Sequence, residues 1–173
     1  MKNIILIIAM IAALTVQNIF AQDNSNQSFQ DVIKLYLDVK NALTKDNGDS
    51  VRATSKIFYK AVSDFPMEKF PAAQHKIWME YAEKLSYDAE HMKQTNELEH
   101  QREHFTKLSI NLYNLLTKLK INAGELYYDF CPMANNGKGA FWISEEAKIN
   151  NPYMGKMMPR CGSVKDTIKA NNQ

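Results

Sequence analysis

The sequence predicts a mainly α protein: an antiparallel four-helix bundle with an irregular C-terminal cap that contains a short β-hairpin. Three observations carry this expectation. Apolar residues recur at helical spacing through the first two thirds of the chain. Between Ala72 and Ala123 no glycine or proline interrupts the pattern. From Gly124 onward the pattern changes, and five of the six glycines lie there.

The first segment is not part of that fold. Met1-Lys2-Asn3 carries one positive charge, the run from Ile4 to Val16 is apolar, and Gln17-Asn18-Ile19-Phe20-Ala21 ends in a small residue. This is the layout of a secretory signal peptide, residues 1–21. The apolar run is too short for a membrane span, which needs about 20 residues. No cysteine follows Ala21 to take a lipid anchor. Cleavage after Ala21 leaves a polar leader, residues 22–27, and then one domain, residues 28–168. A chain of about 150 residues buries roughly 68–70% of its unfolded surface, enough for one real core. The expected location is periplasmic or secreted, with no membrane insertion after cleavage.

Ser28 is placed to cap the first helix, with Asp31 three residues on. Phe29, Val32, Ile33, Tyr36, Leu37, Val39 and Leu43 give its apolar stripe, and Asp46-Asn47-Gly48 ends it. Asp49 or Ser50 can cap a second helix striped by Val51, Ile57, Phe58, Ala61, Val62 and Phe65, which Pro66 stops. Pro71 suits the first turn of a third helix. The uninterrupted stretch that follows is too long for one ordinary helix. Thr95-Asn96 offers the break, so it reads as two helices, about 72–92 and 96–120. Leu126, Tyr127, Tyr128 and Phe130 have strand composition, and Phe141-Trp142-Ile143 can pair with them. The cap, about 124–168, needs something to fix so much irregular chain. A disulfide or a metal would serve.

Charge excludes one class of partner. With 21 basic and 19 acidic residues there is no basic excess to argue for nucleic acid. The chain also lacks a phosphate-binding glycine loop, a serine elbow and a haem-attachment motif, and Cys131 has no local context for thiol catalysis. No enzyme is expected.

The cap holds the residues with distinctive chemistry. The only two cysteines, Cys131 and Cys161, both lie there. Methionines flank each: Met133 near the first, and Met154, Met157 and Met158 near the second. Thiolate and thioether donors select soft ions such as Cu(I) or Ag(I). If residues 154–161 are helical, Met154, Met157 or Met158, and Cys161 share a face. Export argues the other way, because two cysteines outside the cytoplasm normally form a disulfide, here Cys131–Cys161. Both readings stand. Phe141, Trp142 and Tyr153 either anchor the cap or shield a Cu(I) site.

Of the four histidines, His100 and His104 are four apart on one helix, a spacing used in metal sites. Gln101 stands where a metalloprotease would have its glutamate. The charged neighbours Glu97, Glu99, Arg102 and Glu103 favour a solvated helix face. A turn at Thr95 would bring His91 close, making an accessory site of His91, His100 and His104.

Tyr127-Tyr128-Asp129-Phe130-Cys131-Pro132-Met133-Ala134, Gly139-Ala140-Phe141-Trp142-Ile143-Ser144, Ile149-Asn150-Asn151-Pro152-Tyr153-Met154-Gly155 and Cys161-Gly162 together resemble a domain of unknown function. That domain occurs alone in exported proteins. It also occurs fused to the C-terminus of membrane-fusion subunits of copper and silver efflux pumps of the CusB type. The segment Glu99 to Phe105, with Leu108-Ser109, is similar to its central helix. The resemblance covers roughly residues 29–168. Met158-Pro159-Arg160 and Phe130 depart from the pattern. The resemblance implies a heavy-metal role: Cu(I) or Ag(I) held by Cys131, Met133, Met157 and Cys161, buffered or delivered to efflux. The alternative it leaves is a disulfide-stapled interaction module, without metal, that docks on a periplasmic efflux adaptor.

Overall fold

The structure, a computed structural model, describes residues 28–121 and 123–169. The expected signal peptide and leader therefore lie outside the described residues.

Helix α1 runs over residues 28–44. Its stripe is as the spacing predicts: Phe29, Val32, Ile33, Tyr36, Val39 and Leu43 are buried, while Leu37 only packs against the core from outside. Asp46, at φ 53, turns the chain. Helix α2 spans Gly48–Ser63 and is capped two residues before Asp49, the earlier of the two expected caps, by Asn47, whose side chain accepts from the Ser50 N–H. It ends before Phe65, since the residue preceding Pro66 is driven out of helical conformation. A single 3-10 turn, Met67–Lys69, leads past Pro71 into helix α3, Ala72–Gln94. The break at Thr95 is real. Thr95 is extended, its hydroxyl accepts from the Glu97 N–H, and helix α4 runs over Leu98–Leu119.

The four helices pack against one another. Phe29, Phe65, Phe70 and Trp78 form an aromatic cluster among α1, α3 and the connection between α2 and α3. Tyr36 of α1 stacks on Phe105 of α4 at 5.2 Å. No helix among the described residues is long and apolar enough to cross a membrane.

The cap corrects the sequence reading. It contains a three-stranded antiparallel sheet, not a hairpin alone. The strands are β1 (Leu126–Cys131), β2 (Ala140–Ser144) and β3 (Ser163–Ile168), in the order β2-β1-β3. The expected β1–β2 pairing is present, with Asp129 opposite Trp142 and Cys131 opposite Ala140. Strand β3, with four consecutive exposed residues, carries no apolar alternation and so left no signal. The second correction concerns residues 152–160, which form successive turns and not a helix. Gly155 sits at φ 51 and packs so closely on Asp46 that a Cβ would lie 1.9 Å from its Oδ1. A helix cannot pass through such a residue.

Polar ties hold the cap on the helices. The Ile143 N–H donates to the Tyr36 hydroxyl at 3.0 Å, and that hydroxyl shares a 2.7 Å hydrogen bond with Ser109. The Tyr153 hydroxyl donates to the Phe141 carbonyl. Arg102 donates to the Pro152 carbonyl and to Asp46, which also accepts from the Lys156 N–H. Burial works to raise the Asp46 carboxyl, but these donors outweigh it and hold the pKa below the ordinary value. Buried Lys40 donates to Glu145 at 2.5 Å.

Candidate metal centre

The break at Thr95 folds α4 back along α3, so the last turns of one lie beside the first turns of the other. This places His91 of α3 against His100 and His104 of α4. One ring nitrogen from each can be chosen so that all three lie within 4.8 Å of one another. Among the described residues this is the one group of three or more His, Cys, Asp or Glu side chains close enough to share an ion. The His91 and His104 rings stack at 4.5 Å, and His100 meets His104 at 4.8 Å.

The solvated face expected for these residues is corrected in part. His100 is the outermost of the three, but His91 is half-buried and His104 is only 6% exposed. Sequence showed the charged neighbours and could not show that α3 covers the edge of the face on which the histidines lie. Tyr87 adds a ring over His91 at 4.5 Å. His75, near the start of α3, is not part of the group.

A residue that sequence reading missed completes the arrangement. His104 Nδ1 lies 2.9 Å from Oδ1 of Asp88, itself 3% exposed. Burial pushes the Asp88 carboxyl up; the His104 hydrogen bond and the charges of His104, Lys107 and His91 act against the shift. Against an ionised carboxylate the ring must donate its Nδ1–H, which leaves the Nε2 lone pair free. Metal-binding histidines are held this way by outer carboxylates. Asp88 lies three residues before His91, so both fall on the α4-facing side of α3. That spacing was the one sequence signal available.

Gln101 fixes the turn from which these histidines project. Fully buried, it directs its side-chain amide at the carbonyls of Gly48 (3.0 Å), Thr95 (2.8 Å) and Met92 (3.4 Å). It thus joins the start of α2 to the α3–α4 connection, one residue from His100.

The group fits a first-row ion after a small contraction. An ion bound at about 2.0–2.1 Å in tetrahedral geometry needs nitrogens about 3.3–3.4 Å apart. Closing from 4.8 Å takes a shift of about 1.4 Å, within reach of a rotation of the outermost side chain, His100. Imidazole ligands suit zinc, copper, iron and nickel.

The sulfur residues are only partly gathered. Cys131, at the end of β1, is fully buried; Cys161, just before β3, is half-buried; both thiols are free. They are hydrogen-bonded to one another. That bond, with burial second, raises the Cys161 thiol above its ordinary value, while the Met133 backbone N–H acts to lower it. The methionines scatter. Met154 and Met158 are half-buried, Met133 is 56% exposed and Met157 is 76% exposed. The shared face that a helix would have given Met154, Met157, Met158 and Cys161 does not exist, because the segment turns. Trp142 is fully buried, with Tyr153 at 6.0 Å.

Fold and site together define a mainly helical protein with a three-histidine group able to hold a metal ion. The chain belongs to the family described as Protein of unknown function (DUF3347), whose model matches residues 32–124. That match spans the helices and the histidine group and stops before the sheet. None of the curated proteins and none of the solved structures matches the chain.

Proposed function

We propose that the protein is an exported metal-binding protein, a carrier and not an enzyme, that handles copper or silver on its way to an efflux system. One observation carries the metal-binding part: three imidazoles converge between α3 and α4, and a buried carboxylate orients the innermost. Oriented, partly desolvated imidazoles bind late first-row ions, Cu(II) and Zn(II) among them. The sulfur-rich cap and the sequence resemblance to the C-terminal domain of CusB-type efflux subunits support copper or silver as the cargo.

The test is Cu(II) titration of the purified full chain at pH 7.5. One ion per chain is expected, and His91→Ala and His100→Ala should each abolish binding at equimolar ion. Asp88→Asn should weaken it by about 10–100-fold, the usual effect of losing an outer-shell partner. Binding unchanged in all three variants would refute the site. No binding by a chain whose intact mass is two protons light would favour a disulfide-stapled, metal-free interaction module.

A further inference from the structure

The geometry points to a second metal site, separate from the histidines: a dithiolate site at Cys131 and Cys161 for a monovalent soft ion, Cu(I) or Ag(I). It goes beyond the histidine reading and does not depend on it.

The thiols come from chain segments pinned independently. Cys131 is the last residue of the central strand, and its carbonyl accepts from the Ala134 N–H. Cys161 is held from behind. Its carbonyl accepts from the Asn151 side chain at 2.7 Å, and its N–H donates to the Met158 carbonyl. The next residue, Gly162, is at φ 132, where a Cβ would lie 2.9 Å from both the Phe130 carbonyl oxygen and the Trp142 ring. Only a glycine lets the backbone come this close, and that approach delivers Cys161 to Cys131.

The result is two unbonded sulfurs in contact. One is in the interior and the other reaches the surface, with a backbone N–H aimed at the outer one. Binding is an exchange in which two S–H bonds break, two S–metal bonds form, and two protons leave to solvent. No oxidant or reductant takes part. Two thiolates satisfy a d10 monovalent ion, and the full burial of Cys131 keeps water from the inner side. Met133 is the nearest thioether by connectivity, because its own backbone touches the Cys161 sulfur. It also lines a cleft of about 470 Å³, with Met154, Glu99 and Glu103. Met157, largely exposed, is not required. This revises the four-sulfur set expected from sequence to two thiolates with Met133 as a movable third donor.

The experiment is anaerobic Cu(I) titration of the reduced full chain against a chromophoric Cu(I) chelator, repeated with Ag(I). We expect one ion per chain, with the near-ultraviolet absorption of thiolate-bound Cu(I). Cys161→Ser should lower the affinity by at least about 100-fold, more than an outer-shell loss. His91→Ala with His100→Ala should leave it unchanged. Cys131 is fully buried, so far-ultraviolet circular dichroism of each variant confirms the fold, and half-buried Cys161 supplies the decisive substitution. Undiminished binding in Cys161→Ser would overturn the proposal. So would loss of Cu(I) in the double histidine variant, or a reduced chain that binds no Cu(I). Because the two sets of variants differ, failure here leaves the histidine reading standing, and the reverse holds.

Discussion

Asp129 gives the most quantitative test of the fold. Its side chain is 0% exposed, and neither carboxylate oxygen has a hydrogen-bond partner. Burial raises its pKa from 3.8 to about 6, with the charge of Lys40 acting weakly against the shift. The folded value lies above the unfolded one. Between about pH 4 and 6 the native state therefore holds a proton that the unfolded chain has released, and stability falls as pH rises through this window. A difference of about two pKa units corresponds to about 3 kcal/mol. Asp129→Asn keeps the shape of the neutral acid and removes the charge. The variant should match the wild type near pH 4 and exceed it by about 2–3 kcal/mol at pH 7.5. Urea denaturation followed by circular dichroism at pH 4.5, 6 and 7.5 measures this. The difference between the two proteins is the quantity to read. It cancels Asp46 and Glu145, whose carboxyls are held below their ordinary values and whose stabilisation is lost as pH falls. A difference that stays flat with pH, or that grows in favour of the wild type, would refute the reasoning.

Other consequences follow from single contacts. Gln101→Leu leaves the Gly48 and Thr95 carbonyls without their side-chain donor, which should cost about 1–3 kcal/mol in urea unfolding and weaken ion binding at the histidines. Gly155→Ala drives a Cβ into Asp46 at a positive φ and should cost about 2–4 kcal/mol, with amide exchange accelerated in residues 151–161. Tyr36→Phe strands the buried Ile143 N–H and should cost about 1–3 kcal/mol, with near-ultraviolet changes as the cap loosens.

The helices were legible because their signals are local. A stripe such as Phe29, Val32, Ile33 and Tyr36, or a stop such as Pro66, is written in consecutive residues. The β1–β2 pairing was legible for the same reason. Strand β3 was not, because its partner is the already-paired β1 and its residues face solvent. The conditional helix over residues 154–161 rested only on the three- and four-residue spacing of Met154, Met157, Met158 and Cys161, while Gly155 and its contact with Asp46, far off in sequence, decide the outcome. At the metal centre, His91, His100 and His104 were visible as candidates. Asp88 was not, since an aspartate within a run of polar helix residues looks like surface until the facing helix buries it. The cysteines were identified at once, but whether they meet depends on Asn151, Gly162 and the central place of β1.

That central place has a consequence in time. A chain made N-terminus first has α3 and α4 complete, and with them the three histidines, once Leu119 is out. Cys131 follows soon after on β1, but its partner comes only with the last strand. For the interval before Cys161 emerges, Cys131 is a lone thiol in an incompletely paired sheet, open to whatever thiol chemistry the compartment offers. The nitrogen site is thus ready first. The proposed sulfur site closes last, and a chain cut before Cys161 keeps the histidine group and forfeits the thiol pair.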